Sequence, residues 1–360
     1  MFKILLFALT VIPWTKGNLD IHHINTGVGN AAFFIFPDGT TMLFDAGEVD
    51  RNSSSRRSNP LKVAPATDSS AALCIKKYIN KVLPGVDHID YVVISHFHVD
   101  HYGAFSELVK YFKINKLIDR SYPAYDDVIK RSFDSVGVRK YITAQKGIKT
   151  EKLIVGRKDQ IVANYPGFFV RNIKSGGDIW SGNGESTIKI IPDRLDPKDY
   201  NENPLCIALK ISYGDFDYFT GGDMTGLQGF GLPTWFDTET PVAKVVGKVD
   251  ALSLNHHGVR DATNEFFLKT LAPRVIIQQS WSSNHPGEEV LHRMISQSIY
   301  PGPRDIFATY VHEETKVTYG MWLRDNYKST AGDILLRVSE GGKEFSVFVN
   351  DQKYGPFQSK

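Results

Sequence analysis

Apolar and polar positions fall into two rhythms along this chain of 360 residues. Near the N-terminus "LDIHHI" (19–24), "NAAFFIF" (30–36) and "TTMLFDAG" (40–47) read as short strands separated by glycine-bearing or Asp-Gly turns. The polar stretch around residues 48–68 reads as a long solvated loop. Over 69–83 the period lengthens: Ala72, Ile75, Ile79 and Val82 recur at helical spacing, Ser69 or Ser70 can cap the start, and Pro84-Gly85 stops it. "HIDYVVIS" (88–95) is then a continuous apolar run, the kind of strand covered on both faces. Phe105, Leu108, Val109 and Phe112 predict the next amphipathic helix.

Residues 114–185 are harder to read, mixing short strands such as "KLIVG" (152–156) and "FFVRNI" (168–173) with Tyr122, Tyr125, Phe133 and Trp180. Order returns in "STIKIIPD", "CIALKISYG", "FDYFTGGD", "VDALSLNHHG" and "RVIIQQS", and in a terminal hairpin, "DILLRVSEGGKEFSVFV". Strands outnumber helices, and the alternation predicts an α/β sandwich of two sheets with helices on the outer faces. No internal repeat or dividing linker is visible, so residues 18–360 are expected to form a single domain.

Composition changes the picture at three points. Residues 1–17 resemble a secretory signal: Lys3, the apolar run "ILLFALTVI", then Thr15 and Gly17 before a cut preceding Asn18. That run is well short of the ~20 residues a membrane-spanning helix needs, so a secreted protein without a transmembrane segment is expected. Losing Lys3 and Lys16 cancels the formal charge of +2, and a neutral chain lacks the field that gathers polyanions. Nucleic acid is therefore a disfavoured partner, and the oligomeric state is left open. Cys74 and Cys206 could pair or remain two buried thiols, and Asn52 begins a glycan acceptor triplet.

The candidate chemistry lies in "SHFHVDHYG", where His96, His98, Asp100 and His101 occupy six consecutive positions after an apolar run. In an extended segment His96, His98 and Asp100 share one face, and His101 approaches from the turn into the following helix. Imidazole and carboxylate without cysteine suit zinc, iron or manganese.

His-x-His-x-Asp-His resembles the signature of the metallo-β-lactamase superfamily. "FDAG" (44–47), "TGGD" (220–223), "NHHG" (255–258) and "NHPGEEVLHRM" (284–294) follow in the family's order. They are similar to the branch with competence-type DNA-uptake hydrolase domains and phosphorylcholine esterases. The resemblance implies an αββα sandwich and a centre of two zinc ions: His96 and His98 on one ion, Asp100 and His101 on a second, Asp223 between them, and Asp45 bracing them from behind. It implies a metal-activated hydroxide, with Asp100 and His285 as catalytic residues and His285, or whichever of His256 and His257 is spare, as general acid. Pro204 departs from the pattern, and no histidine occurs between His101 and His256, so any third nitrogen for the first ion must come from His256, His257 or His285. A phosphodiester of a small molecule or head group is the expected substrate class. A carboxylic ester or lactone is the alternative, and a metal-binding matrix protein without turnover is the rival from another class.

Overall fold

A computed structural model describes residues 12–50 and 69–360. Residues 1–11 of the expected signal, Asn52 and most of the polar loop lie outside the described residues. Trp14 packs partly buried on the apolar cluster of the first sheet, Arg337 donates to the Pro13 carbonyl at 3.0 Å, and Tyr213 donates to that of Gly17 at 2.7 Å.

The early strands form as their alternation predicts: β1 (Leu19–His23), β2 (Ala32–Ile35) and β3 (Thr41–Phe44). Next come β4 (His88–Val93), β5 (Lys113–Asp119), β6 (Lys149–Lys152), β7 (Phe168–Ser175), β8 (Asp178–Trp180) and β9 (Thr187–Lys189). The second half supplies β10 (Ala208–Tyr213), β11 (Phe216–Thr220), β12 (Ala251–Ser253), β13 (Val275–Gln278), β14 (Asp305–Ala308) and β15 (Tyr327–Ser329). The chain closes with β16 (Ile334–Val338), β17 (Glu344–Val349) and β18 (Gln352–Gln358).

Among the described residues these make two nine-stranded mixed sheets, ordered β18-β17-β16-β1-β2-β3-β4-β5-β6 and β15-β14-β13-β12-β11-β10-β7-β8-β9. Leu19, Ile21, Phe34 and Phe44 of the first sheet meet Val170, Leu209, Ile211 and Tyr218 of the second in one buried cluster, which is the middle of the sandwich. The outer face of the first sheet is covered by α1 (Ala71–Val82), the short helices α2 (Val99–Tyr102) and α3 (Phe105–Leu108), α4 (Asp126–Arg131) and α5 (Ser135–Ala144). The outer face of the second carries α6 (Glu239–Val246), α7 (Glu265–Leu271) and α8 (Glu288–Ile295). The expected αββα order is what the chain adopts.

Ser70 caps α1 by accepting from the Leu73 amide at 3.2 Å, and Ala72, Ile75, Ile79 and Val82 face inward. Three details depart from expectation. The strand placed at "KLIVG" lies earlier, at 149–152, where it pairs in parallel with β5 from Lys116 to Asp119. The helix expected through Phe112 is one turn, Phe105–Leu108, followed by further turns. The terminal hairpin has a third member, β18, which pairs antiparallel to β17. Cys74 and Cys206 are not joined to each other.

Candidate metal centre

Strand β4 ends at Val93, and the chain then turns rather than continuing extended. His98 flanks α2 in an extended conformation, and Asp100 and His101 lie inside that helix. Asp100 therefore does not share a strand face with His96 and His98: the turn, not pleat alternation, brings the four side chains together. The turn is held from outside by main-chain bonds. Asn30 donates to the Asp100 carbonyl at 2.8 Å, Ala46 to that of His101 at 2.8 Å, and Glu48 to that of Val99 at 3.0 Å. A Cβ at Gly47 would lie 1.6 Å from the Asp100 carbonyl oxygen, so the "FDAG" glycine is required by a backbone-to-backbone approach.

Asp45, wholly buried with φ 64°, accepts from the Ser95 amide at 2.7 Å, the Ser95 hydroxyl at 2.9 Å and His101 Nδ1 at 2.7 Å. With Nδ1 donating to Asp45, His101 aims Nε2 at Asp223 Oδ1, 3.1 Å away. Asp223 follows β11 through Gly221-Gly222, and its amide donates to the Cys206 thiol sulfur at 3.2 Å. Neither His101 Nε2 nor Asp223 Oδ1 has a hydrogen-bond partner, although both are buried.

"NHHG" makes a tight turn after β12, with His256 at φ 46° and His257 at φ 53°, both left-handed. This costly conformation points the two rings differently. His257 donates Nδ1 to the Gln279 carbonyl at 3.0 Å, which leaves Nε2 facing Asp100 Oδ2 at 3.0 Å and Asp223 Oδ2 at 3.6 Å. His256 instead sets Nδ1 2.6 Å from Asp261 and Nε2 3.1 Å from the Asn203 amide nitrogen. His285 stacks on His257 with ring centroids 4.6 Å apart, and its Nδ1 accepts from the Trp281 amide at 3.3 Å.

Two groups thus converge, each with ligand atoms within 4.8 Å of one another: Asp100, His101, Asp223 and His257, and His96, His98 and Asp223. His96 is buried, with Nε2 3.2 Å from His98 Nδ1 and 3.6 Å from Asp223 Oδ2. Asp223 belongs to both groups; His256 and His285 belong to neither. The donor set fits a divalent cation. A bare imidazole nitrogen set against a carboxylate oxygen at 3.0–3.1 Å is lone pair against lone pair unless a proton or a cation lies between. Four imidazoles and two carboxylates are the nitrogen and oxygen set that zinc and its neighbours take.

The electrostatics follow from this crowding. Burial opposes ionisation of Asp223, but His101, then His257 and His256, hold its carboxyl well below the usual range. Asp100 is likewise held low against burial, chiefly by His101 and then His257. Burial opposes protonation of His101, yet Asp223, Asp100 and Asp45 raise it well above an ordinary histidine. Burial dominates at His96 and at His285 and pushes both well below. His256 is pushed up to about 9 by Asp223 and Asp261, against burial.

Several supporting residues carried no local signal in the sequence. Glu202 accepts from the Phe97 amide at 3.0 Å and pairs with Arg120, fixing the loop between His96 and His98. Glu239 accepts from Asn255 Nδ2 at 2.7 Å and from the amides of Thr263 and Asn264 at 2.6 and 2.7 Å, which anchors the histidine turn. Cys206 stands behind Asp223 as a buried thiol.

Residues 25–126 match the family described as the metallo-beta-lactamase superfamily. ComE operon protein 3 of Bacillus subtilis (strain 168) is 22% identical over 301 residues, 82% of this chain and 33% of that protein. The chain thus spans about a third of the length of that curated relative. Among solved structures, a metallo hydrolase from Ignicoccus hospitalis is 12% identical with a TM-score of 0.41, covering 82% of this chain and 96% of its own. Unliganded yeast PDE1 is 11% identical with a TM-score of 0.39, covering 92% and 99%. No helix among the described residues is long and apolar enough to cross a membrane. The family match falls on the half of the chain that holds the His96–His101 turn, and the two-sheet fold and the order of the motifs are consistent with that likeness.

Proposed function

We propose that the protein is a metal-dependent hydrolase of phosphodiesters that works with two zinc ions. The observation that carries this reading is the sharing of Asp223 by two donor groups, with His101 Nε2 and Asp223 Oδ1 facing each other unpartnered. His96, His98 and Asp223 would hold one ion; Asp100, His101, His257 and Asp223 would hold the other. Bound there, zinc would polarise the phosphoryl oxygen and lower the pKa of water from about 15.7 towards about 7.

The residues of the chain do the rest. Asp45 and the Gln279 carbonyl fix the tautomers of His101 and His257, keeping both Nε2 atoms turned inward. Hydrolysis forms a P–O bond to the oxygen of water and breaks the P–O bond to the alkoxide, which takes up a proton. His285 and His256 line the same cavity outside the donor groups, and we assign them to substrate contact and to that proton.

The test is metal analysis of the purified chain with hydrolysis of bis(p-nitrophenyl) phosphate, a carboxylic ester and a lactone, each with a chelator control. About two zinc ions and chelator-sensitive phosphodiester turnover are expected. Turnover of the ester or lactone alone would move the substrate class, and bound metal without any turnover would leave a binding protein. Export rests on residues 1–17, and N-terminal sequencing of protein recovered from the medium tests it.

A further inference from the structure

Two cavities meet beside the donor groups. The larger, about 930 Å³, is lined by His98, Asp100, Asp223 and His257 together with His256 and His285. A side groove of about 480 Å³, walled by Phe97, Val128, Pro197 and Tyr200, adjoins it. His98, Phe133 and Asn203 line both, so the groove opens directly onto the donor groups. Phe133 is 100% exposed at this junction. It sits in the link between α4 and α5, and the cap after it is firm: Asp134 accepts from the Gly137 amide at 2.8 Å. Leu232, 36% exposed, lines the larger cavity as well.

The charges of the walls narrow what can enter. Outside the donor groups, and with Asp261 paired to His256 Nδ1 at 2.6 Å, the larger cavity presents Asp50 and Asp134 against Arg260. That excess of acid repels a polyanionic strand and tolerates one anionic centre at the metal. In the groove Glu202 is taken up by Arg120, Tyr200 and the Phe97 amide. The guanidinium of Arg131 lies over the Tyr200 ring, 4.9 Å from its centre. Lys130, Ser132 and Asn201 also line the groove, yet the larger part of the surface it offers an occupant is aromatic and aliphatic.

We infer that the substrate is a singly charged ester with one apolar arm, alkyl or aryl, which lies along the groove against Phe133 while the ester sits at the donor groups. This rests on the hydrolase reading above and adds the chemistry of the arm. An exposed ring that an apolar chain covers gives up water contact on binding, and that gain is the source of selectivity.

Calorimetric titration of the zinc-loaded chain with methylphosphonate and octylphosphonate, both below micelle-forming concentrations, tests it without turnover. Octylphosphonate should bind at least about ten-fold more tightly. The ratio should fall towards one in Phe133→Ser and return in Phe133→Leu. Equal affinities in the native chain, or a ratio that survives Phe133→Ser, overturns the inference. Octylphosphonate bound with the Phe133 dependence while methylphosphonate fails to bind would overturn the hydrolytic centre and keep the groove. Binding of neither overturns both.

Discussion

Asp119 and Asp223 are both buried carboxylates placed where a strand ends, one as the last residue of β5 and one just past β11, yet their surroundings are opposite. Asp119 Oδ1 accepts from the amides of Ser121 and Tyr122, each at 2.8 Å, and Oδ2 accepts from the Tyr125 and Tyr141 hydroxyls at 2.5 and 2.8 Å. Asp223 has an oxygen without a hydrogen-bond partner, set against an imidazole nitrogen in the same condition. The first carboxylate is complete within the protein and serves the fold. The second is complete only with something added, which is how a binding centre differs from a polar core contact.

The sharpest way to break this contrast is Asp223→Ala. It should lower metal affinity and phosphodiester turnover by more than about a hundred-fold, beyond the loss typical of a residue behind the ligands. Metal analysis and kinetics read both, and a variant retaining its metal would place the centre elsewhere. Asp119→Ala should do the reverse, leaving metal content unchanged and costing about 3 kcal/mol in urea unfolding as two tyrosine hydroxyls lose their acceptor. Asp45→Asn lies between: it keeps the shape but weakens the grip on His101, and zinc affinity by competition with a chromophoric chelator should fall about 10- to 100-fold.

The smallest effect concerns Glu239, whose carboxyl burial pushes up from 4.5 to about 7 despite bonds from Asn255, Asn264 and Thr263. A folded pKa above the unfolded one means that the folded state holds the extra proton between those values. Its contribution to stability is complete below about 4.5 and is lost as pH rises through about 7. Urea unfolding across that window should show a falling stability, at most about 1 kcal/mol per pH unit, that flattens in Glu239→Gln. An equal slope in the variant would assign the pH dependence to another group.

The sequence was most legible where neighbours in the chain are neighbours in space. Alternation marks β1 to β3 and helical spacing marks α1, because each buries one face against a sheet core. The histidine run was visible because all its members lie on one turn. The segment 114–185 was not, since Tyr125 and Tyr141 are buried there through hydroxyls bonded to Asp119, and a tyrosine whose polar end is satisfied inside gives no clear hydropathy signal. Strand β18 was missed because its residues are mostly exposed and polar; main-chain pairing to β17 holds it. Among the residues around the centre, Glu202 stands 105 positions from Phe97, and nothing local announces such a bond. Asp100 was assigned the right neighbours by the wrong geometry, since pleat alternation was applied across a turn.

The suspension of residues 99–101 from the amides of residues 30, 46 and 48 has a consequence for how this corner of the molecule can change. Its position is independent of which side chains it displays. Exchanging one donor for another there would alter which ion is preferred without moving the seat, and carboxylate in place of His101 would shift preference towards harder ions such as manganese. A backbone-hung platform of this kind lets chemistry drift while architecture stays still.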